Sequence, residues 1–304
     1  MALPSSGTLT LAQIQTEFGG SNPIELSEYY RGGAYVTSNN TNVPTSGAIS
    51  ISNFYGATRQ FAFTISSNQT NANLRSLAVA AGWDQSAPVV ATLASGIYIS
   101  SNSTGTPALT VNGSFPAGVQ LINSGTIVGM GGAGGAGGFS SKNGAAGGTG
   151  IAASVAISIT NNATVAGGGG GGGGGAVRGQ GGDPDEYSGG GGGGGGRSSA
   201  AANSAGGAGG GGSSVPYSGA AGSAGTLSAA GGGGSGGSSI YGEGGVGGSG
   251  GGWGTVGSVG GAGAQGGGNT IFAFEGSGGA AGAAASGNSN ITWLVTGTRL
   301  GPLT

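Results

Sequence analysis

Hydrophobic and polar residues follow short, regular patterns in the first half of the chain. The runs FAFTIS, PVVATLASGIYISS and PALTVNGSF, between residues 60 and 128, alternate or are rich in β-branched residues, as strands are. Between the first two, NANLRSLAVAAGW has Leu74, Leu77 and Ala78 at helical spacing, and Trp83 follows as a candidate core residue. We therefore predict a compact β-rich unit with one helix over residues 60–128.

A different pattern begins at residue 129, where glycine dominates. Thirteen of the 82 glycines precede this position, and 69 lie from there onward. Glycine-rich runs alternate with inserts such as FSSKN, DPDEYS, SSVPYS, SSIY and NTIFAFE. A flexible Gly/Ser linker would be uniform in composition and would hold few aromatic residues. The layout instead predicts extended rods that pack together and are joined by turns.

Strand patterns bracket the glycine-rich region. VQLINSGTIVG from Val119 and ISITNNATVAG from Ile157 match position by position, which aligns Asn123 with Asn161. NITWLVTGTRLGPL offers a third strand pair of similar build, with Gly297 at its turn. A disordered linker needs no such closure, so the brackets favour an ordered region.

The rods predicted here are extended threefold helices. Collagen is excluded, because the chain has only nine prolines and no strict Gly-X-Y repeat. The remaining candidate is a polyproline II-type helix made of glycine, polyglycine II, with a rise of about 3.1 Å per residue. Without Cβ atoms, neighbouring rods can approach closely enough to exchange backbone hydrogen bonds. Ordering each glycine costs roughly 1–2 kcal/mol, so only a bundle of many rods is stable.

The predicted fold class is therefore mostly irregular and β. A small N-terminal region and a β-rich middle unit precede a sandwich of packed polyglycine II helices, which short strand pairs close. Within that sandwich, we predict that the two longest glycine runs, residues 167–175 and 189–196, are interior rods. The inserts between runs would then lie at the two ends of the bundle.

Residues 1–59 contain an internal repeat. LPSSGTLTLAQIQTEFG from Leu3 and VPTSGAISISNFYGATR from Val43 align with each other, and Thr10 or Ser50 can cap a helical turn in each copy. A unit this small buries little of its own apolar surface. We therefore expect its large apolar residues to pack on a partner or on their own copies, the alternative being a folded cap without a role. These residues are Ile14, Phe18, Tyr29, Tyr30, Phe54 and Tyr55.

Composition excludes most catalytic functions and most charged partners. The chain has no Cys and no His, so it lacks thiol nucleophiles, disulfides, zinc-finger ligands and the commonest near-neutral base. Seven Lys and Arg against nine Asp and Glu form neither a groove for nucleic acid nor a membrane-binding patch. The sequence shows no signal-peptide pattern and no window of about 20 apolar residues. We expect a soluble, non-enzymatic protein made in the cytosol, without cofactor or metal.

The inserts between the glycine runs hold the residues best suited to recognition. Loops on a rigid scaffold are where binding residues concentrate, and aromatic and arginine side chains are typical of such contacts. DPDEYS lacks the ligand spacing of a calcium loop, so we interpret it as solvated. Phe272 and Phe274 alternate in TIFAFE, and we expect them to face a core. The predicted contact residues are Tyr187, Tyr217, Tyr241, Trp253, Arg178 and Arg197.

Two stretches carry a resemblance to a known family. LPSSGTLTLAQIQTEFGGSNPIELSEYYRGGAYV resembles an N-terminal segment that recurs in tail and fibre proteins of tailed bacteriophages, and VPTSGAISISNFYGAT looks like its continuation. The chain from LINSGTIVGMGGAGG to ITWLVTGTRLG is similar to the glycine-rich receptor-recognition domains of phage tail-fibre adhesins.

That resemblance implies a domain plan and partners. Residues 1–59 would attach to other tail or baseplate proteins through the six apolar residues named above. Residues 129–304 would bind a receptor, and residues 60–128 would connect these two domains. The receptor would be a bacterial outer-membrane protein or a surface glycan, bound by the distal loops of the glycine-rich sandwich. The protein would be assembled in the host cytoplasm into the virion tail. Fibres are often trimers, whereas the tip proteins of T-even phages sit as single chains, so the resemblance leaves the number of copies open.

Other functions stay open at this point. A structural tail or collar component would use the same N-terminal motif without receptor loops. An ice-binding protein could also be built from packed glycine helices, although bulky inserts such as DPDEYS and NTIFAFE spoil the flat face that it needs. A hydrolytic spike is the weakest alternative, because no paired carboxylates stand out.

Overall fold

The N-terminal unit is built from short, capped helical turns. The computed structural model describes residues 3–139, 143–180, 187–213, 217–240, 242–265 and 270–304. Helix α1 spans Leu11–Phe18, and 3-10 turns span Leu26–Tyr29 and Ile51–Phe54. As the sequence predicts, Thr10 caps α1 and forms a capping box with Gln13, and Ser50 forms one with Asn53.

The two copies of the repeat lock onto each other. Gly7 and Gly47 occupy equivalent turns with φ of +91° and +82°, a region that favours glycine. The Tyr55 hydroxyl donates to the Gly7 carbonyl, and the Tyr30 hydroxyl donates to the Gly47 carbonyl. Tyr55 therefore bonds the second copy to the turn of the first, and Tyr30, from the segment between the copies, bonds to the turn of the second.

Residues 61–300 contain a parallel β-helix of five coils, and each coil passes through up to three sheets. The first sheet holds β1 Phe61–Ile65, β4 Val89–Leu93, β7 Val119–Asn123, β10 Ile157–Asn161 and β19 Ile291–Val295. The second holds β2 Gln69–Thr70, β5 Tyr98–Ser100, β8 Thr126–Val128, β11 Thr164–Ala166 and β20 Thr298–Leu300. The third holds β3 Ala72–Asn73, β6 Leu109–Val111, β9 Ile151–Ala153 and β18 Ala285–Ser286.

Stacked side chains fill the β-helix, because the coils pair in register. Phe63, Ala91, Leu121, Ile159 and Trp293 occupy one stack of the first sheet. Helix α2, Leu74–Ala80, follows the first coil and buries Leu74 and Ala78 against the same core. The helical spacing read from the sequence is thus confirmed, and so is a core position for Trp83, which is 3% exposed.

Two buried asparagines mark one corner of the β-helix. Asn123 and Asn161 pair in register, and Nδ2 of Asn123 donates to Oδ1 of Asn161 at 2.7 Å. Nδ2 of Asn161 in turn donates to the carbonyl of Thr296 at 2.8 Å. Both side chains are fully buried, so each satisfies polar groups that water cannot reach.

The glycine-rich region leaves the β-helix twice and returns to it twice. The chain passes from β8 directly into residue 129 and re-enters at β9, then passes from β11 into residue 167 and re-enters at β18. The predicted boundary after residue 128 therefore falls inside the β-helix, whose later strands pair with its earlier ones. Sequence patterns hid this because glycine separates strands that are neighbours in space.

Ten extended segments make up the glycine bundle in the described residues. We number them in chain order. They are 1 (129–138), 2 (143–150), 3 (167–176), 4 (189–197), 5 (204–212), 6 (217–226), 7 (229–237), 8 (244–253), 9 (255–263) and 10 (273–284).

Backbone hydrogen bonds between segments follow a three-residue period. The amides of segment 3 turn successively to three neighbours: Gly168 and Gly171 donate to segment 2, Gly169, Gly172 and Gly175 to segment 4, and Gly170, Gly173 and Ala176 to segment 9. The carbonyls of segment 3 accept in turn from amides of segments 1, 8 and 10, again with a period of three residues. Segment 4 is surrounded in the same way by segments 1, 3, 5, 6, 7 and 8.

These contacts define three layers of three, four and three segments. Segments 2, 1 and 5 form the upper layer, 10, 3, 4 and 6 the middle layer, and 9, 8 and 7 the lower layer. Segments 3 and 4 are the two central ones. They contain the two longest glycine runs, and residues 167–176 and 189–196 are buried throughout, as the sequence predicts.

Glycine is required where segments meet. A Cβ added at Gly171 would lie 1.9 Å from the Ala133 carbonyl oxygen, and one at Gly193 would lie 2.0 Å from that of Gly172. Non-glycine residues instead recur at every third position on the outside, as with the exposed Ala205 and Ala208 of segment 5 or Val256 and Val259 of segment 9.

Candidate functional site

The connections at the far end of the bundle form the largest group of irregular loops. Segments 1 and 3 run away from the β-helix and segments 2 and 10 run back to it, so the turns between them lie far from the β-helix. We call this the distal end. Its connections are residues 139–142, 177–188, 213–216, 238–243 and 264–272, part of which the structure describes.

Two small antiparallel sheets organise the distal end. In the first, β12 Arg178–Gln180 lies between β13 Tyr187–Ser188 and β17 Thr270–Phe272. In the second, β15 Gly242–Glu243 lies between β14 Ser238–Ser239 and β16 Ala264–Gln265. The buried Ser188 hydroxyl joins the two sheets by donating to the Gly242 carbonyl at 2.9 Å. These bonds satisfy backbone groups where the glycine segments stop.

Apolar side chains stand exposed on this scaffold. Phe139 is 52% exposed and packs edge-on against Tyr187, with ring centroids 4.7 Å apart. Ile240 is 84% exposed at the tip of the hairpin between β14 and β15. Phe274 is 74% exposed, so the expectation that it faces a core is wrong. Exposed large apolar groups on a rigid end are typical of contact surfaces.

Three of the predicted contact residues lie at this end. Tyr187 is half-buried beneath Phe139, and Ser213 donates its hydroxyl to the Tyr187 carbonyl at 3.3 Å. Tyr217 opens segment 6, where its carbonyl accepts from the Gly189 amide at 2.7 Å. Arg178 lies in β12 and donates from Nε to the Ala262 carbonyl. Tyr241 and the acidic residues of DPDEYS lie outside the described residues, as does the side chain of Phe272.

Arg197 and Trp253 lie at the opposite end, beside the β-helix. The Arg197 guanidinium is 3.7 Å from the centre of the Trp253 ring, and its Nε donates to the Leu227 carbonyl at 2.9 Å. Trp253 Nε1 donates to the Ser198 carbonyl at 2.8 Å. The structure therefore separates these two residues from the distal group. Their contacts hold together the turns at the base of the bundle.

The residues expected to attach the N-terminal unit are mostly its own core. Ile14, Tyr29 and Phe54 are fully buried, and Phe18 is 2% exposed. Tyr29 and Phe18 pack edge-on against Phe54. Of the two predicted alternatives, packing within the unit therefore describes these residues better than packing on a partner. Tyr30 and Tyr55 are half-buried and bonded to the repeat turns.

Displaced pKa values among the described residues lie in the N-terminal half. Burial, and then Glu28 and Tyr35, raise the pKa of Tyr29. Partial burial would raise the pKa of Asp84, but hydrogen bonds from Ser86 and Ala87 to its carboxylate outweigh it and lower the pKa. No group of three metal-ligating side chains occurs in the part of the chain that the structure describes. Within that part, no helix is both long and apolar enough to cross a bilayer.

Sequence reasoning missed Phe139 and Ile240. Both are single large apolar residues at the border of a glycine run, in the inserts FSSKN and SSIY. Neither residue is a tyrosine, a tryptophan or an arginine, the residue types that the predicted contact residues share. The signal that finds them is position, since an apolar residue at the end of a rod, where the chain turns, has no neighbouring rod to pack on.

Comparison with known proteins found a family model and a solved structure to which the chain is similar. Residues 60–184 match the family model described as phage tail fibre adhesin Gp38. The fold is similar to a chain of the gp37–gp38 adhesin tip complex of the bacteriophage S16 long tail fibre. The TM-score is 0.54 at 25% sequence identity, over 88% of this chain and 91% of that one. No curated protein sequence matches the chain.

Both comparisons confirm the resemblance to the tail-fibre adhesins of bacteriophages. The matched stretch contains the first three coils of the β-helix, the first two strands of the fourth and the first three glycine segments, and the matched fold extends over most of the chain. The chain is therefore similar to the tail-fibre adhesins of bacteriophages, which are binding proteins and not enzymes.

Proposed function

We propose that this chain is a receptor-binding adhesin of a phage tail fibre, and that its distal end contacts the bacterial surface. The observation that carries the proposal is the exposure of Phe139, Ile240 and Phe274 on one end of a bundle whose interior is fixed by hydrogen bonds. Loops on such a scaffold keep their geometry when they bind, so little ordering entropy opposes contact.

The ten glycine-rich segments are proposed to be polyglycine II helices. Their hydrogen bonds rotate among neighbours with a period of three residues, which is the period of a threefold helix. Adding a Cβ at most of their buried glycines would bring it within about 2 Å of a neighbouring backbone. Both observations support rods that touch through their backbones. A rod of eight residues then spans about 25 Å, which sets the distance from the β-helix to the distal loops.

Attachment to the virion is proposed to use residues 1–59. This unit lies at the first-coil end of the β-helix, where the Ser38 hydroxyl donates to the Gly82 carbonyl at 3.4 Å and Asn39 donates to that of Gln60 at 2.9 Å. Its partner would be another tail or baseplate protein. Placement at one end of the β-helix leaves the bundle free to project sideways.

The receptor is proposed to be an outer-membrane protein or a surface glycan of the host. Several copies on one virion would add their contacts and strengthen a weak single attachment. A purely structural tail component is the competing function. It is disfavoured by exposed apolar side chains at the distal end, which a structural role does not need.

Adsorption of the purified protein to susceptible cells tests the proposal. The variant Phe139→Ala/Ile240→Ala should bind at least about tenfold more weakly, since each side chain contributes roughly 1–2 kcal/mol when buried in a contact. Tyr187→Ala, Tyr217→Ala and Tyr241→Ala extend the test to the residues predicted from sequence. Val79→Ala is the matched control, because Val79 is exposed on α2, far from this end.

The two functions give opposite results. An adhesin loses binding in the distal variants and keeps it in the control. A structural component shows no binding by the parent protein, and equal binding by parent and distal variants would refute the assignment of the contact to this end.

A further inference from the structure

Most of the exposed apolar side chains that the structure describes are not at the distal end. The described residues include eleven large hydrophobic side chains that are exposed, and seven of them belong to the lowest layer of the bundle or to the fifth coil of the β-helix. They are Val246, Val256, Val259, Leu294, Val295, Leu300 and Leu303. We call the outer side of segments 7, 8 and 9, together with β19, β20 and residues 301–304, the lower face.

The lower layer and the fifth coil lie level with each other. Every third amide of segment 3 points to this side: Gly167 donates to Leu300, Gly170 to Thr255, and Gly173 to Ser258. Leu300 of the fifth coil and segment 9 therefore continue one row along the same side of segment 3. Gly254 contacts the same coil, since an added Cβ there would lie 2.2 Å from the Gly301 nitrogen. The two parts thus form one continuous face.

Backbone groups on this face lack partners within the described residues. Strand β19 pairs with β10 alone, and β20 with β11 alone, so the outer edge of each is free. The amides of Val246, Val256 and Val259 form no hydrogen bond with another described residue. A free strand edge beside exposed aliphatic side chains is a template for pairing with another chain.

We propose that two copies of this chain pair through their lower faces as a two-fold dimer. A second copy offers what the face needs: an equally aliphatic surface and a free strand edge that a two-fold axis can set antiparallel. Within residues 229–263 and 291–304, the charged side chains are Glu243 and Arg299, of opposite sign. Pairing therefore brings no block of like charges together.

The size of the face suits a weak dimer. Three rods about 25 Å long and about 5 Å apart present roughly 400 Å², and the coil adds about 200 Å². Pairing would bury about 1,200 Å² in total, at the lower limit for specific interfaces. Association in the micromolar range is expected at this size.

Because the lower face of one copy binds the lower face of the other, the assembly is complete with two copies. A trimer, which the resemblance to fibre proteins suggests, would need two different surfaces that fit each other. Pairing through the lower face also leaves the N-terminal unit free, because that unit contacts the first coil at the other end of the β-helix. Each dimer would carry two distal ends.

Sedimentation equilibrium of the purified full chain, from about 1 to 100 µM, tests the proposal. The parent protein should change from monomer to dimer over this range. The Val256→Ser/Val259→Ser variant should dimerise about ten-thousandfold more weakly and stay monomeric over this range, since the two-fold axis buries four valines and each contributes roughly a factor of ten. The control is Ala133→Ser/Ala136→Ser, which changes two outward positions of segment 1 in the upper layer.

Several results would overturn the proposal. These are a monomer at every concentration, a trimer, or a dimer that the valine variant leaves unchanged. Serine fits the exposed sites, so the variants should unfold at the parent's temperature; Val246→Ser serves as a second variant if the first does not. The measurement involves no receptor, so its failure leaves the adhesin proposal standing, and failure of adsorption leaves the dimer standing.

Discussion

Gly171 illustrates why the central segments of the bundle require glycine, which has no Cβ. It lies in central segment 3, where its amide donates to the Ala145 carbonyl at 2.9 Å and its carbonyl accepts from the Gly279 amide at 2.7 Å. The nearest backbone would be 1.9 Å from a Cβ at this position. No rotamer relieves such a contact, because Cβ has a fixed place on the backbone. Neighbouring segments would have to separate and lose their hydrogen bonds.

The substitution Gly171→Ala tests this requirement. We expect it to lower the free energy of unfolding by more than about 3 kcal/mol, as overpacking of a rigid interior does. Gly211→Ala is the matched control, since no heavy atom lies within 4 Å of its added Cβ and it lies at the exposed end of segment 5. That change should be neutral or slightly stabilising, by up to about 1 kcal/mol. Thermal unfolding measures both, and equal effects would contradict a packed interior.

Within each segment, the order of glycine and other residues follows the three neighbours of a rod. Positions that face another rod are glycine, whereas the outward third position carries a side chain, as with Ala133 and Ala136 or Ala221 and Ala224. Two fully glycine runs therefore mark rods with neighbours on all sides, which is why the sequence identified segments 3 and 4 as interior. Segments in which one or two residues in three are not glycine are those at the surface.

The asparagine corner of the β-helix is the element most sensitive to a polar change. Asn161→Ala removes the acceptor 2.7 Å from the buried Nδ2 of Asn123, which keeps its longer bond to the Thr164 carbonyl at 3.2 Å, and removes the donor to the Thr296 carbonyl. We expect a loss of about 2–4 kcal/mol in the free energy of unfolding. In the control, Asn112→Ala removes a similar bond to Asn73, 2.7 Å long but exposed, and should cost less than about 1 kcal/mol.

Chemical unfolding followed by circular dichroism distinguishes the two variants. Equal losses for Asn161→Ala and Asn112→Ala would show that burial of the corner contributes nothing. The pair of matching asparagines is visible in the repeated strand pattern, but its burial is not. Only the stacking of two coils places Asn123 against Asn161 and removes both from water.

For the molecule as a whole, sequence patterns predicted parts better than their assembly. The strands, the α2 helix, the capped turns and the two interior glycine runs follow from local rules. The five-coil β-helix does not, because β19 lies far along the chain from β10, its partner, and nothing local ties Ile291 to Ile157. Glycine segments 3 to 10 intervene between them.

The same limit explains which site residues were found. Tyr187, Tyr217 and Arg178 border inserts that lie at the distal end. Arg197 and Trp253 border similar inserts, and the direction of the rods, which composition does not reveal, places them at the base. The N-terminal aromatics were open to two interpretations, since an internal repeat can bury its residues on itself or on a partner. The burial of Tyr29 and Phe54 and the hydrogen bonds from Tyr30 and Tyr55 to the repeat turns favour the first.

The central claim is that the glycine-rich half of the chain is an ordered bundle that holds the distal loops in place. Hydrogen exchange of the backbone amides in residues 167–175 and 189–196 tests it most directly. Because most of these amides donate to neighbouring backbone and all are buried, we predict exchange slowed by about a thousandfold or more relative to an unstructured chain. Exchange at random-coil rates throughout both runs would contradict the account.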